Sequence, residues 1–179
     1  MTVHETQIGC YYEDFAVGDV FEHPSSRTVG ESEDTWFTLL KPDTAHRPGR
    51  QNHDNADFTG RSPTGKVIVN SGLTVALVLG LSDISQTALL NLGWTDVKLT
   101  HPVFVGDTIR AESLITDMRE SASRPYAGII TTRTRGLNQD GDEVVSWTRT
   151  VMVHKRDAPG GKHPEDETGS GGRPGARLM

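Results

Sequence analysis

The chain of 179 residues has a single cysteine, Cys10. One thiol excludes an intrachain disulfide and any multi-thiolate metal site, and it fits a reducing compartment, so the cytoplasm is the expected location. Basic residues are in deficit, 18 against 24 acidic, and the two signs are interspersed to give a net charge of −6. No basic stripe exists of the kind a phosphate backbone requires, which excludes nucleic acid as the expected partner. Long apolar runs are also missing. The richest, residues 73–81, is far shorter than the roughly 20 residues a membrane span needs. The first fifteen residues, MTVHETQIGCYYEDF, lack both the basic start and the apolar centre of a secretory signal, so no membrane association is expected.

What is present fits one domain, since a single core commonly takes about 100–200 residues. The apolar residues are concentrated before Lys155, and the last two dozen residues are rich in Gly, Pro and charge. Such a segment buries too little apolar surface to offset the entropy of ordering. The expected organisation is an N-terminal extension at 1–10, one domain at 11–156 and a disordered tail at 157–179. No internal repeat is visible.

Residues 20–29 read as a strand interrupted near Pro24. Glu31, Glu33 and Asp34 place negative charge in the first turn of a short helix, where the helix dipole favours it, and Trp36, Phe37, Leu39 and Leu40 follow at helical spacing. Residues 41–65 are polar and punctuated by Pro and Gly, with a short helix expected near 52–58. A loop so long inside a compact domain points to function. Residues 71–81, SGLTVALVLGL, are apolar on nearly every side. A buried helix suits their length and Leu and Ala content better than a buried strand, with Ser71 as its cap. Residues 93–99, 107–118, 128–137 and 144–153 then read as an antiparallel meander, with Ile109, Ala111, Ser113 and Ile115 alternating with Arg110, Glu112 and Leu114. Asp140-Gly141 marks the last hairpin. A helix apolar all round must be wrapped by the sheet. That is an α+β hotdog domain.

Several segments carry a family resemblance in combination: Tyr12-Glu-Asp-Phe-x-x-Gly18, Asp34-Thr-Trp-Phe-Thr-Leu-Leu40, Val69-Asn-Ser71 before the apolar helix, Pro102-Val-Phe-Val-Gly-Asp107, and Arg133-Thr-Arg-Gly-Leu-Asn-Gln-Asp-Gly141. Over about residues 11–156 the chain resembles the MaoC-like hydratases and dehydratases, nearest the branch acting on mesaconyl- or itaconyl-CoA. The resemblance implies a single-hotdog subunit that forms a homodimer or higher homo-oligomer. It also implies a CoA or acyl-carrier-protein thioester entering at the interface, and cofactor-free hydration of a 2-enoyl thioester or the reverse dehydration.

That reaction needs a base for the attacking water, an acid to protonate C2 and donors for the enolate-like oxygen. In the resembled family an Asp and a His fill the first two roles within a run Asp-x-Asn-Pro-x-His, and a backbone N–H at the start of the buried helix fills the third. Here the run is broken. Aligning from either side gives Asp43 and His53, with residues 45–50 as an apparent insertion between them, and at the family's spacing the acid's place falls on Pro48. Three readings stay open: Asp43 and His53 retain the roles, the pair is rebuilt from His46, Asp54 or Asp57, or the activity is lost. Ser71 stands where its backbone N–H would meet the thioester oxygen. Asn70 and Gly72 are assigned to substrate binding beside it, although a plain turn suits Asn70 equally. Arg47, Arg50, Arg61 and Lys66 cluster near the expected mouth and suit CoA phosphates or a substrate carboxylate, against the plainer reading of a solvated loop.

Other groups are read without chemistry. The His and Asp residues of the loop match no strong metal spacing, so no metal is expected. His101 and His154 are read as structural or exposed, Asp107 as a turn residue, and Trp36, Trp94 and Trp147 as core or interface. Two competing functions remain, since the hotdog fold also hosts thioester hydrolysis: a thioesterase and a non-catalytic acyl-thioester-binding subunit.

Overall fold

The computed structural model describes residues 3–5, 10–40, 53, 57, 60, 61, 63–83 and 88–157. Within them lie six strands, β1 (Val3–Glu5), β2 (Val20–Thr28), β3 (Ala88–Leu99), β4 (Thr108–Glu120), β5 (Ala127–Leu137) and β6 (Glu143–His154), and two α-helices, α1 (Glu31–Leu39) and α2 (Ser71–Leu81). A 3-10 turn at Tyr12–Asp14 packs beside β5. The strands form one sheet in the order β1-β2-β4-β5-β6-β3, antiparallel throughout except for the parallel β1–β2 pair.

The expected strands at 20–29, 93–99, 107–118, 128–137 and 144–153 and the helices expected after Gly30 and at 71–81 are present, whereas the short helix expected near 52–58, His53 and Asp57 apart, and the tail expected after 157 lie outside the described residues. The β5–β6 hairpin forms at the expected turn. There Gly141 adopts φ 88°, a conformation open to glycine without steric cost. Asn138 Oδ1 accepts the backbone N–H groups of Asp140 at 3.0 Å and Asp142 at 2.8 Å. In β2 the register shifts between Glu22 and Ser26, around Pro24, which has no N–H to give the ladder.

Two expectations require correction. The meander holds only for β4-β5-β6, because β3 pairs with β6 at the far edge of the sheet and not with β4. Its cause lies in the connection. Val69 N–H donates to the Val103 carbonyl at 2.8 Å and Val105 N–H to the Val67 carbonyl at 3.2 Å, so the chain after β3 leaves the sheet to pair beside the start of α2. The second correction concerns enclosure of α2. Leu73, Thr74 and Val78 are buried, whereas Val75, Leu77, Leu79 and Leu81 are only partly covered and Ala76 and Gly80 are exposed. One chain's sheet covers one side of the helix.

Alternation along the strands builds the covered face. Ile109, Ala111, Ser113 and Ile115 point inward from β4, and Val145, Trp147, Arg149, Val151 and Val153 from β6. One apolar cluster centres on Leu73, Val78, Ile109, Val145 and Trp147 under α2; another, with Cys10, Phe15, Phe21, Ile130 and Val151, lies under the 3-10 turn. A polar band on the same face includes His23, Ser113, Thr134 and Arg149, all buried. His23 Nε2 lies 3.0 Å from Ser113 Oγ, which lies 2.8 Å from Thr134 Oγ1. Arg149 donates from Nη1 to the Ser82 carbonyl at 3.3 Å, placing a cation at the C-terminus of α2, where the helix dipole favours it. Burial pushes the His23 imidazole down to about 4, with Arg149 adding to the effect and Asp83 and Glu112 opposing it. No described helix is long and apolar enough to cross a membrane.

Candidate functional site

The start of α2 is fixed by its own sequence and by α1. Asn70 caps the helix, its Oδ1 accepting the Gly72 N–H at 3.0 Å. The cap was expected from Ser71, and Asn is as good a cap as Ser. What decides for Asn70 is that its backbone and side chain are both held by α1. Asp34 Oδ1 accepts the Asn70 N–H at 2.7 Å, and Asn70 Nδ2 donates to Thr38 Oγ1 at 3.4 Å, with all three residues buried. A Cβ on Gly72 would stand 2.9 Å from Phe37 Cε1, so glycine is what permits α1 to approach the helix start so closely.

Beside that helix start lies an open cleft of about 310 Å³. It is lined by His53, Ile68, Val69, Ser71 and Thr74 on one side of the sequence and by 99–103 on the other. His53 is half-buried, and its Nδ1 lies 2.5 Å from the Ile68 carbonyl. A carbonyl oxygen only accepts, so Nδ1 carries the hydrogen and the neutral ring keeps its lone pair on Nε2. A base-competent imidazole and the exposed Ser71 at a helix N-terminus therefore share one cleft. Two further groups line it from the end of β3: Thr100, whose hydroxyl donates to the Glu143 carbonyl, and His101, whose Nδ1 lies 3.1 Å from the same oxygen.

Not every expected site residue is brought here. Asp43, Arg47 and Arg50, with the alternatives His46 and Asp54, lie outside the described residues. Asn70 and Gly72 are present as the cap, so the Gly72 amide is already committed to Asn70 Oδ1. Arg61 pairs with Asp57 at 2.7 Å, both side chains exposed. Lys66 Nζ sits 5.4 Å from the Phe104 ring centroid. Neither Arg61 nor Lys66 lines the cleft. Among the described residues no cluster of three His, Cys, Asp or Glu side chains could hold a metal ion.

The family profile described as mesaconyl-CoA hydratase matches residues 2–176. The chain belongs to that family. It is 36% identical over 155 residues to the mesaconyl-CoA hydratase of Cereibacter sphaeroides, covering 86% of this chain and 43% of that protein. Among solved structures, a MaoC-like dehydratase from Rhodospirillum rubrum superposes with a TM-score of 0.69 at 25% identity, covering 83% of this chain and 99% of the other. A Mycobacterium tuberculosis protein described as having a double hotdog fold matches at TM-score 0.66 and 17% identity over 82% of this chain and 44% of its own; this likeness shows the fold alone. The α+β hotdog architecture and the MaoC-like membership expected from the sequence both hold. The chain spans less than half the length of the curated relatives it matches.

Sequence reasoning placed Asp34 in first-turn charge and in the resembling segment 34–40 but gave it no part in the site. The sequence carried only the i, i+4 spacing that puts Asp34 and Thr38 on one helix face; their burial against Asn70 comes from the structure. Thr100 and His101 carried no sequence signal, because their place depends on the crossover after β3.

Proposed function

We propose that the chain hydrates a 2-enoyl thioester, or dehydrates the 3-hydroxyacyl thioester in reverse, with CoA as the carrier and a short carboxylated acyl group as the substrate. The observation that carries this reading is the shared cleft of His53 and Ser71 at the capped start of α2. In the hydration direction His53 Nε2 removes a proton from water as its oxygen bonds to C3. The π electrons move to C2 and the thioester oxygen, and a proton delivered to C2 completes the addition. The helix dipole and the Ser71 backbone N–H stabilise the enolate-like oxygen. Asp43 is the acid we assign as partner to His53, and Arg47 and Arg50 are assigned to the CoA phosphates.

We propose further that the working unit contains a second copy of this chain in the cytoplasm. β3 is an outer strand of the sheet and exposes Leu90, Leu92, Trp94, Val97 and Leu99. Beside it Val75 and Leu79 of α2 join Trp94, Val97 and Trp147 around an apolar crevice of about 140 Å³. An apolar edge of this kind calls for a partner. Relatives of more than twice the matched length supply a natural reason for two such units to work together.

The test is a panel of crotonyl-, mesaconyl- and itaconyl-CoA followed by enoyl absorbance and by free thiol. Loss of absorbance without thiol release is expected. Thiol release would instead identify thioester hydrolysis, and saturable binding without turnover a binding subunit.

A further inference from the structure

Resting on the reading that an acyl thioester occupies the cleft, we infer that His101 is the residue that recognises a carboxylate on the acyl group. Two imidazoles line this cleft, and each is tethered through Nδ1 to a backbone carbonyl, His53 to Ile68 and His101 to Glu143. Each therefore keeps Nε2 for a ligand. The proposed hydration uses His53 as base and Asp43 as acid, which leaves His101 without a part in proton transfer.

A carboxylate needs a positive partner when it leaves water. Among the described residues that line the cleft, only His53 and His101 can carry that charge. Arg61 is engaged by Asp57 and Lys66 by the Phe104 ring, and both lie off the cleft. His101 binds the anion as an imidazolium, donating Nε2–H to the carboxylate while Nδ1–H stays on the Glu143 carbonyl.

The His101 ring is exposed, and the backbone that carries it is anchored. Thr100 N–H donates to the Val144 carbonyl at 3.1 Å, and the Thr100 hydroxyl joins His101 on the Glu143 carbonyl. Pro102 follows directly and restricts the His101 backbone to extended conformations. The apolar part of the lining, including Ile68, Leu99 and Val103, suits the short carbon chain between thioester and carboxylate.

The experiment is calorimetric binding of succinyl-CoA and butyryl-CoA, which differ by a terminal carboxylate in place of a methyl group and contain no double bond to hydrate. Wild type is expected to bind succinyl-CoA roughly tenfold more tightly, the order expected for one charge-assisted hydrogen bond. His101→Leu should abolish that preference and leave butyryl-CoA affinity unchanged, and His101→Arg should restore it. The inference is overturned by a wild type without preference or without binding, by a Leu variant that keeps the preference, or by one that weakens both ligands equally. Neither ligand reacts, so a failure of the hydratase reading would appear separately, as absence of crotonyl-CoA turnover with the binding preference intact.

Discussion

Asp34 Oδ1 accepts the backbone N–H of Asn70 at 2.7 Å inside the protein, so the first helix holds the cap of the second. Removing that acceptor strands a buried amide, at a cost of about 2–3 kcal/mol. Asp34→Ala should therefore lower the urea midpoint with an unchanged slope and reduce enoyl-CoA turnover. Asp34→Asn, which keeps an acceptor oxygen, should recover most of both. Equal midpoints for wild type and the Ala variant would show that the contact contributes nothing.

His23 sets a pH dependence of stability. Its folded imidazole lies near 4, below the ordinary 6.5, so the unfolded chain takes up a proton first as pH falls. Stability from this group is complete above pH 6.5, declines between 6.5 and 4 and levels off below, a total of about 3 kcal/mol. His23→Gln removes the titration. Denaturation curves across that window should show wild type losing stability faster than the Gln variant, and parallel losses would contradict the assignment.

The apolar edge at β3 gives a prediction about assembly. Val97 is 51% exposed in one chain, and it should be covered in the working unit. Light scattering should find wild type as a dimer or larger. Val97→Glu should shift the population to monomer, because a carboxylate in an apolar interface loses its hydration without gaining a partner. A wild-type monomer would contradict the second copy, and a Glu variant that assembles normally would place the contact elsewhere.

Much of this was legible in the chain itself. Alternation in β4 separated Ile109, Ala111, Ser113 and Ile115 from the residues between them, and Asp140-Gly141 located the hairpin, because both signals are local. The position of β3 was not legible, since it depends on residues 67–69 pairing with 103–105, a contact between segments far apart in sequence. Coverage of α2 misled for a related reason: an all-apolar helix implies a cover, but not that one chain supplies it. In the candidate site, His53 and the helix start, both picked out from sequence, line one cleft. Asp34, Thr100 and His101 were not picked out, because each acquires its role from a partner on another element.

The proposed chemistry depends on His53 Nε2 acting as the base. The decisive measurement is crotonyl-CoA and mesaconyl-CoA turnover by His53→Ala, with circular dichroism and butyryl-CoA binding measured on the same preparation. A fall of roughly a hundredfold or more in rate is expected, with fold and binding retained. A folded variant that turned over as fast as wild type would contradict it.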